Sequence, residues 1–188
     1  MTGPTLNAAF PHTWTAEILP NRPLILPSRQ FVYPAYAEEI ERGALEVLIR
    51  TPGEQPAQPF LATCALGFRD PAAPSGLWSV PHSDWLCALS GGYAYLINSL
   101  DPSQFTMLPY RPVLSVHPLP EHNLILFTGH HAILAWGRDG QAWQSERLSW
   151  EGVAIDRIEA GAIHGQGWDM LTDKDVPFTL DLATGRRL

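Results

Sequence analysis

Leu124-Ile125-Leu126-Phe127-Thr128-Gly129 is the stretch on which the fold turns. Successive side chains on a strand face opposite sides of a sheet, so four apolar residues in a row need cover on both faces. In an antiparallel meander that cover comes from neighbouring sheets stacked above and below. The same ending recurs on either side, as Ala88-Leu89-Ser90-Gly91 and Ala162-Ile163-His164-Gly165. The steps are 129 − 91 = 38 and 165 − 129 = 36 residues. A period of that size is one supersecondary unit per repeat, which predicts stacked antiparallel sheets across the second half of the chain.

The flanking sequence supports this reading. Residues 85–89 are apolar, Gly91-Gly92 turns, residues 93–97 return, and Asp101-Pro102-Ser103 turns again into 105–108. The next unit runs through 113–116, 124–127 and 130–136, with a tight turn at Arg138-Asp139-Gly140 before Trp143. A third runs through 153–158, 162–164 and 178–182, ending in Ala183-Thr184-Gly185. Asp-Gly and Gly-Gly turns are hairpin signals because they accept positive φ.

On the turns Gly137-Arg138-Asp139-Gly140 and Asp181-Leu182-Ala183-Thr184-Gly185, which look like outer blade hairpins, the chain resembles β-propeller repeats of the quinoprotein type over about residues 76–185. The resemblance implies three clear blades plus a degenerate one over 44–79, about the minimum for a closed ring. A β-sandwich, or an open stack completed by dimerisation, is the alternative. The expected class is all-β: stacked antiparallel sheets of three or four strands, propeller-like or sandwich. Units are expected near 44–79, 80–110, 111–150 and 151–188, within one domain spanning 37–188.

Residues 1–36 carry six of the eighteen prolines and only three charges, Glu17, Arg22 and Arg29. Proline excludes a regular helix or a central strand there. Phe10, Trp14, Ile18, Leu24, Ile25, Leu26 and Phe31 are too apolar for a free tail. The segment reads as an extended arm laid over the domain, with one edge strand near 24–26. Residues 37–50 fit either a helical face (Ile40, Ala44, Val47, Leu48) or a strand (Leu45, Val47, Ile49), and Gly43 interrupts the helix. A wide hairpin pairing this segment with 60–68 is the expected solution.

Composition sets the functional bounds. Twelve basic residues against nineteen acidic give a net charge of −7, which disfavours nucleic acid and anionic membrane as partners. The start lacks a basic segment leading into a long apolar run, so no signal peptide is expected, and no apolar run approaches a bilayer span. A cytoplasmic protein is the expectation. Cys64 and Cys87 lie in apolar strand-like runs and are read as reduced thiols, too buried to act as nucleophiles.

Motifs for chemistry are sparse. Six of the seven histidines follow residue 80, among them the pair His130-His131, yet no HExxH, HxH or paired CxxC is present. Asp169, Asp173 and Asp175 form the densest acidic cluster, but Lys174 intrudes and the spacing fits no calcium loop. Leu89-Ser90-Gly91-Gly92 lacks the leading glycine of a nucleophile elbow. No cofactor is expected. Aromatics carry the positive signal: six of the seven tryptophans fall in the repeat region, with Trp143, Trp150 and Trp168 beside polar turns. The expected function is a non-catalytic β-module that binds a protein or small ligand through Trp150, Glu151, His164, Trp168, Asp169 and Asp173. The alternative is a hydrolase, with or without metal, that sets His130 or His131 against Asp169 or Glu151. A third is a structural part of a larger homo-oligomeric assembly.

Overall fold

In the structure, a computed structural model, residues 4–35, 42–52, 58–68 and 73–188 are described. About half of them lie in strands, with no α-helix among them and a short 3-10 turn at Pro120–His122. The all-β expectation holds. Four separate sheets of three to five strands form two compact units, Met1–Pro112 and Val113–Leu188.

The first unit contains β1 (Thr5–Asn7), β2 (Thr15–Leu19), β3 (Arg29–Tyr33), β4 (Ala44–Arg50), β5 (Phe60–Ala65), β6 (Gly76–Ser79), β7 (Trp85–Ser90), β8 (Tyr93–Asn98) and β9 (Phe105–Met107). One sheet has the order β2-β4-β5-β3 and the other β1-β6-β7-β8-β9. The expected pairing of 44–50 with 60–65 is present as an antiparallel ladder that sets Val47 opposite Ala62. Its partner residue in the helical reading, Ile40, lies outside the described residues.

The proline-rich arm differs from expectation. It supplies three edge strands, with β1 parallel to β6, β2 antiparallel to β4 and β3 parallel to β5. The edge strand expected at 24–26 does not form, and Leu24 and Ile25 are fully solvent-facing. Pro23 and Pro27 bracket that tripeptide and withhold N–H donors, whereas the segments that do pair are free of proline. Buried side chains between the strands pin the arm. The Phe10 amide donates to Ser79 Oγ (2.8 Å), and the indole of buried Trp14 donates to the Trp85 carbonyl (3.1 Å). A polar network reinforces it: buried Glu46 accepts from the Thr63 hydroxyl at 2.7 Å and faces Arg22 at 3.8 Å. Arg22 in turn donates to Gln30 (3.1 Å), so one guanidinium ties the arm to the sheet. Cys64 and Cys87 are free and buried, and burial pushes both thiols well above the ordinary range.

The second unit contains β10 (Ser115–Leu119), β11 (Leu124–Thr128), β12 (Ile133–Gly137) and β13 (Gly140–Gln144), an antiparallel meander, followed by the meander β14 (Val153–Glu159), β15 (Ala162–Asp169) and β16 (Lys174–Asp181). Ile125, Leu126 and Phe127 are wholly buried, as their apolar run requires. Leu126, Ile133, Ile163, Phe178 and Leu180 share one core cluster. Trp143 locks the arrangement: its indole donates to the Leu182 carbonyl (3.0 Å) and its ring lies against Gly185. Gly185 sits at φ +69, and a Cβ there would run into that ring, so a turn residue without a side chain is required twice over.

The Gly-ended motif keeps its place only in part. Ser90 and Thr128 end β7 and β11, but Gly165 falls in the middle of β15. The three occurrences are therefore not structurally equivalent. The open edge of β16 is protected. Thr179 and Asp181 bond the returning tail at Leu188 and Arg186, and Pro177, two residues back in the same register, has no N–H to offer.

Candidate functional site

The site forms where the segment after β13 crosses β15. Leu148 and Ser149 can lie over the strand because residue 167 is glycine; a Cβ there would collide with the Leu148 carbonyl. Two bonds hold the crossing, from the Trp150 amide to the Trp168 carbonyl (2.9 Å) and from Ser149 Oγ to the same oxygen (3.3 Å). The result is an open cleft of about 210 Å³ lined by Arg147, Trp150, Trp168, Asp169, Val176 and Arg187.

Within the cleft the polar tips are tied down and apolar surface is left exposed. Trp150 is 40% exposed, with the Arg147 guanidinium 4.4 Å from its ring centroid. The Asp169 carboxyl is held below the usual carboxylate range, first by the Thr172 hydroxyl (2.8 Å), then by the Leu171 and Thr172 amides and the Trp150 indole. It is an anion that buttresses the aromatic wall. Trp168 donates its indole N–H to Asp173 (3.2 Å) across the β15–β16 hairpin.

Four of the residues singled out in the sequence are thus brought together: Trp150, Trp168 and Asp169 line the cleft, and Asp173 orients Trp168. His164 stands four residues back along β15, about 13 Å away at strand spacing, where it meets Thr179 (3.1 Å) and Glu159 (3.9 Å). Glu151 donates its amide to Ser149 Oγ and lies outside the cleft lining. Arg147, Val176 and Arg187 complete the wall and were missed, because the crossing segment, β16 and the returning tail meet there only in the fold. The adjacent pair Arg186-Arg187 in an acidic chain was the one sequence signal available.

The histidines take other partners. His131 Nδ1 lies 3.3 Å from both the Ser149 carbonyl and Arg147 Nη1, beside a cation and not a carboxylate. His117 on β10 lies 2.7 Å from Ser115 Oγ, and burial pushes its imidazole below its ordinary range. Among the described residues no hydrogen bond joins His117 to a carboxylate, and no three His, Cys, Asp or Glu side chains converge as a metal site would need. Also among them, no helix is long and apolar enough to cross a membrane. A scan against protein-family models gives no match, and neither does a search of curated proteins.

Proposed function

We propose that the chain is a non-catalytic, cytoplasmic recognition module that binds a protein or small ligand through the Trp150–Trp168 cleft, with its meanders acting as propeller-type blades. One observation carries this reading: Trp150 is left two-fifths exposed at the wall of a cleft whose neighbouring polar groups are all oriented by hydrogen bonds. An exposed indole in a pre-set frame binds flat or apolar groups at little entropic cost. The hydrolase alternative needs a histidine poised against a carboxylate near the cleft. There His131 abuts Arg147 instead, which favours binding over catalysis.

The test is an NMR titration of the seven tryptophan indole N–H resonances with a fragment library of aromatic acids, amides and short peptides. Binding at the cleft shifts the Trp150 indole first, Trp168 with it, and leaves buried Trp14 and Trp143 unmoved. A library that leaves Trp150 unmoved, or that moves all seven indoles alike, refutes the proposal.

A further inference from the structure

The cleft has a neighbour. A second depression of about 250 Å³, lined by Gln144, Glu146, Thr184, Gly185, Arg186 and Arg187, shares Arg187 with the first. Arg187 is ion-paired with Glu146 (2.6 Å), which lines the second depression. The two depressions adjoin at Arg187 as a groove, with Trp150 and Trp168 in the first part and Gln144 and Thr184 in the second.

The groove holds three arginines, Arg147, Arg186 and Arg187, against two carboxylates, Asp169 and Glu146, the reverse of the chain's balance. The protein has nineteen acidic residues to twelve basic, so carboxylates outnumber the cations available to pair with them. Yet Arg147 packs on Trp150 and His131, and among the described residues neither it nor Arg186 forms an ion pair with a carboxylate. The groove therefore presents two guanidinium groups with donors to spare, one in each depression, flanking a third that is already satisfied. Guanidinium forks are matched by planar carboxylates, and a fork stacked on an indole is pre-oriented for one.

Taking the cleft as a recognition site, we infer that its ligand is an extended acidic peptide segment, with an aromatic or apolar side chain on Trp150 and carboxylate side chains on Arg147 and Arg186. A single small anion would occupy one depression only, whereas a chain can engage both. Because the rest of the surface is acidic, the attraction is short-ranged and local, and salt weakens it.

The experiment uses the full chain labelled with 5-fluorotryptophan, its ¹⁹F resonances assigned through Trp150→Phe and Trp168→Phe. Three probes are added in turn: poly(Glu,Tyr), poly(Lys,Tyr) and free glutamate. Poly(Glu,Tyr) is expected to shift the Trp150 resonance, with affinity falling severalfold between about 20 and about 200 mM salt. Arg147→Gln and Arg186→Gln are each expected to weaken it by about tenfold, the loss of one charge-assisted contact, with unchanged circular dichroism. Free glutamate at the same residue concentration leaves the resonance in place. A shift by poly(Lys,Tyr) alone, or equal binding by free glutamate, overturns the acidic-peptide assignment while the cleft remains a binding site. Silence with all three probes also overturns it, and the indole titration with uncharged fragments then decides separately whether the cleft binds at all.

Discussion

Replacing Gly185 with alanine probes the contact that joins the two sheets of the second unit. At φ +69 a side chain costs about 1–2 kcal/mol, and the added Cβ would overlap the Trp143 ring. Overpacking of that kind costs about 1–3 kcal/mol more, so Gly185→Ala should destabilise by about 2–5 kcal/mol. Trp143→Leu removes the ring atoms in question, together with the indole bond to Leu182. That change should cost about 2–4 kcal/mol in lost burial and hydrogen bonding. With the ring gone, the three nearest atoms that the methyl group at position 185 would meet are removed or reduced, and most of the overpacking cost goes with them. The double variant should therefore be less destabilised than the sum of the two by about 1–3 kcal/mol. Native-state hydrogen exchange at the buried Ile163 and Leu180 amides reads this unit directly. Costs that add to within about 0.5 kcal/mol would refute the argument that Trp143 occupies the space above Gly185.

Two further outcomes follow from buried titratable groups. Burial lowers the folded pKa of His117, so as pH falls the unfolded chain takes up this proton first. Stability from this group is intact above about pH 6.5 and declines below it, by at most about 1.4 kcal/mol per pH unit. His117→Gln should flatten the difference in urea midpoint between pH 7 and pH 5, and an unchanged acid slope would contradict the burial of His117. Cys64 and Cys87 are free, wholly buried and held as thiols. Neither should react with Ellman's reagent in the native protein at pH 8, and both should react in guanidinium; rapid native labelling of either would contradict their burial.

The strands that could be read in the sequence are the central ones. Residues 85–89, 93–97 and 124–127 are apolar on both faces, and a run of that kind has few other uses in a chain punctuated by Gly-Gly and Asp-Gly turns. The arm's strands were hidden for the opposite reason. Edge strands such as Thr5–Asn7 are short and half solvated, and the arm's pairing partners lie roughly thirty to seventy residues away, so no local pattern announces them. Apolar residues 24–26 misled because hydrophobicity alone cannot supply the N–H groups that flanking prolines remove. At the candidate site, tryptophans beside acidic residues in the sequence, Trp150, Trp168 and Asp169, come together in one cleft. His164 lies apart from that cleft because four residues along an extended strand span about 13 Å. Arg147 and Arg187 were not legible because they lie outside the strands, one in the segment after β13 and one in the tail that bridges back to Leu180, and only the tertiary fold brings them together.

Collisional quenching of Trp150 most directly tests whether an open, anion-accepting aromatic cleft exists on this acidic protein. Iodide and caesium quenching are compared in the native protein and in Trp150→Phe, the difference isolating Trp150. With Arg147 on the ring and Arg187 in the same cleft, iodide should quench this component more strongly than caesium, despite a net charge of −7. A Trp150 component closed to both ions, or quenched better by caesium, would contradict it.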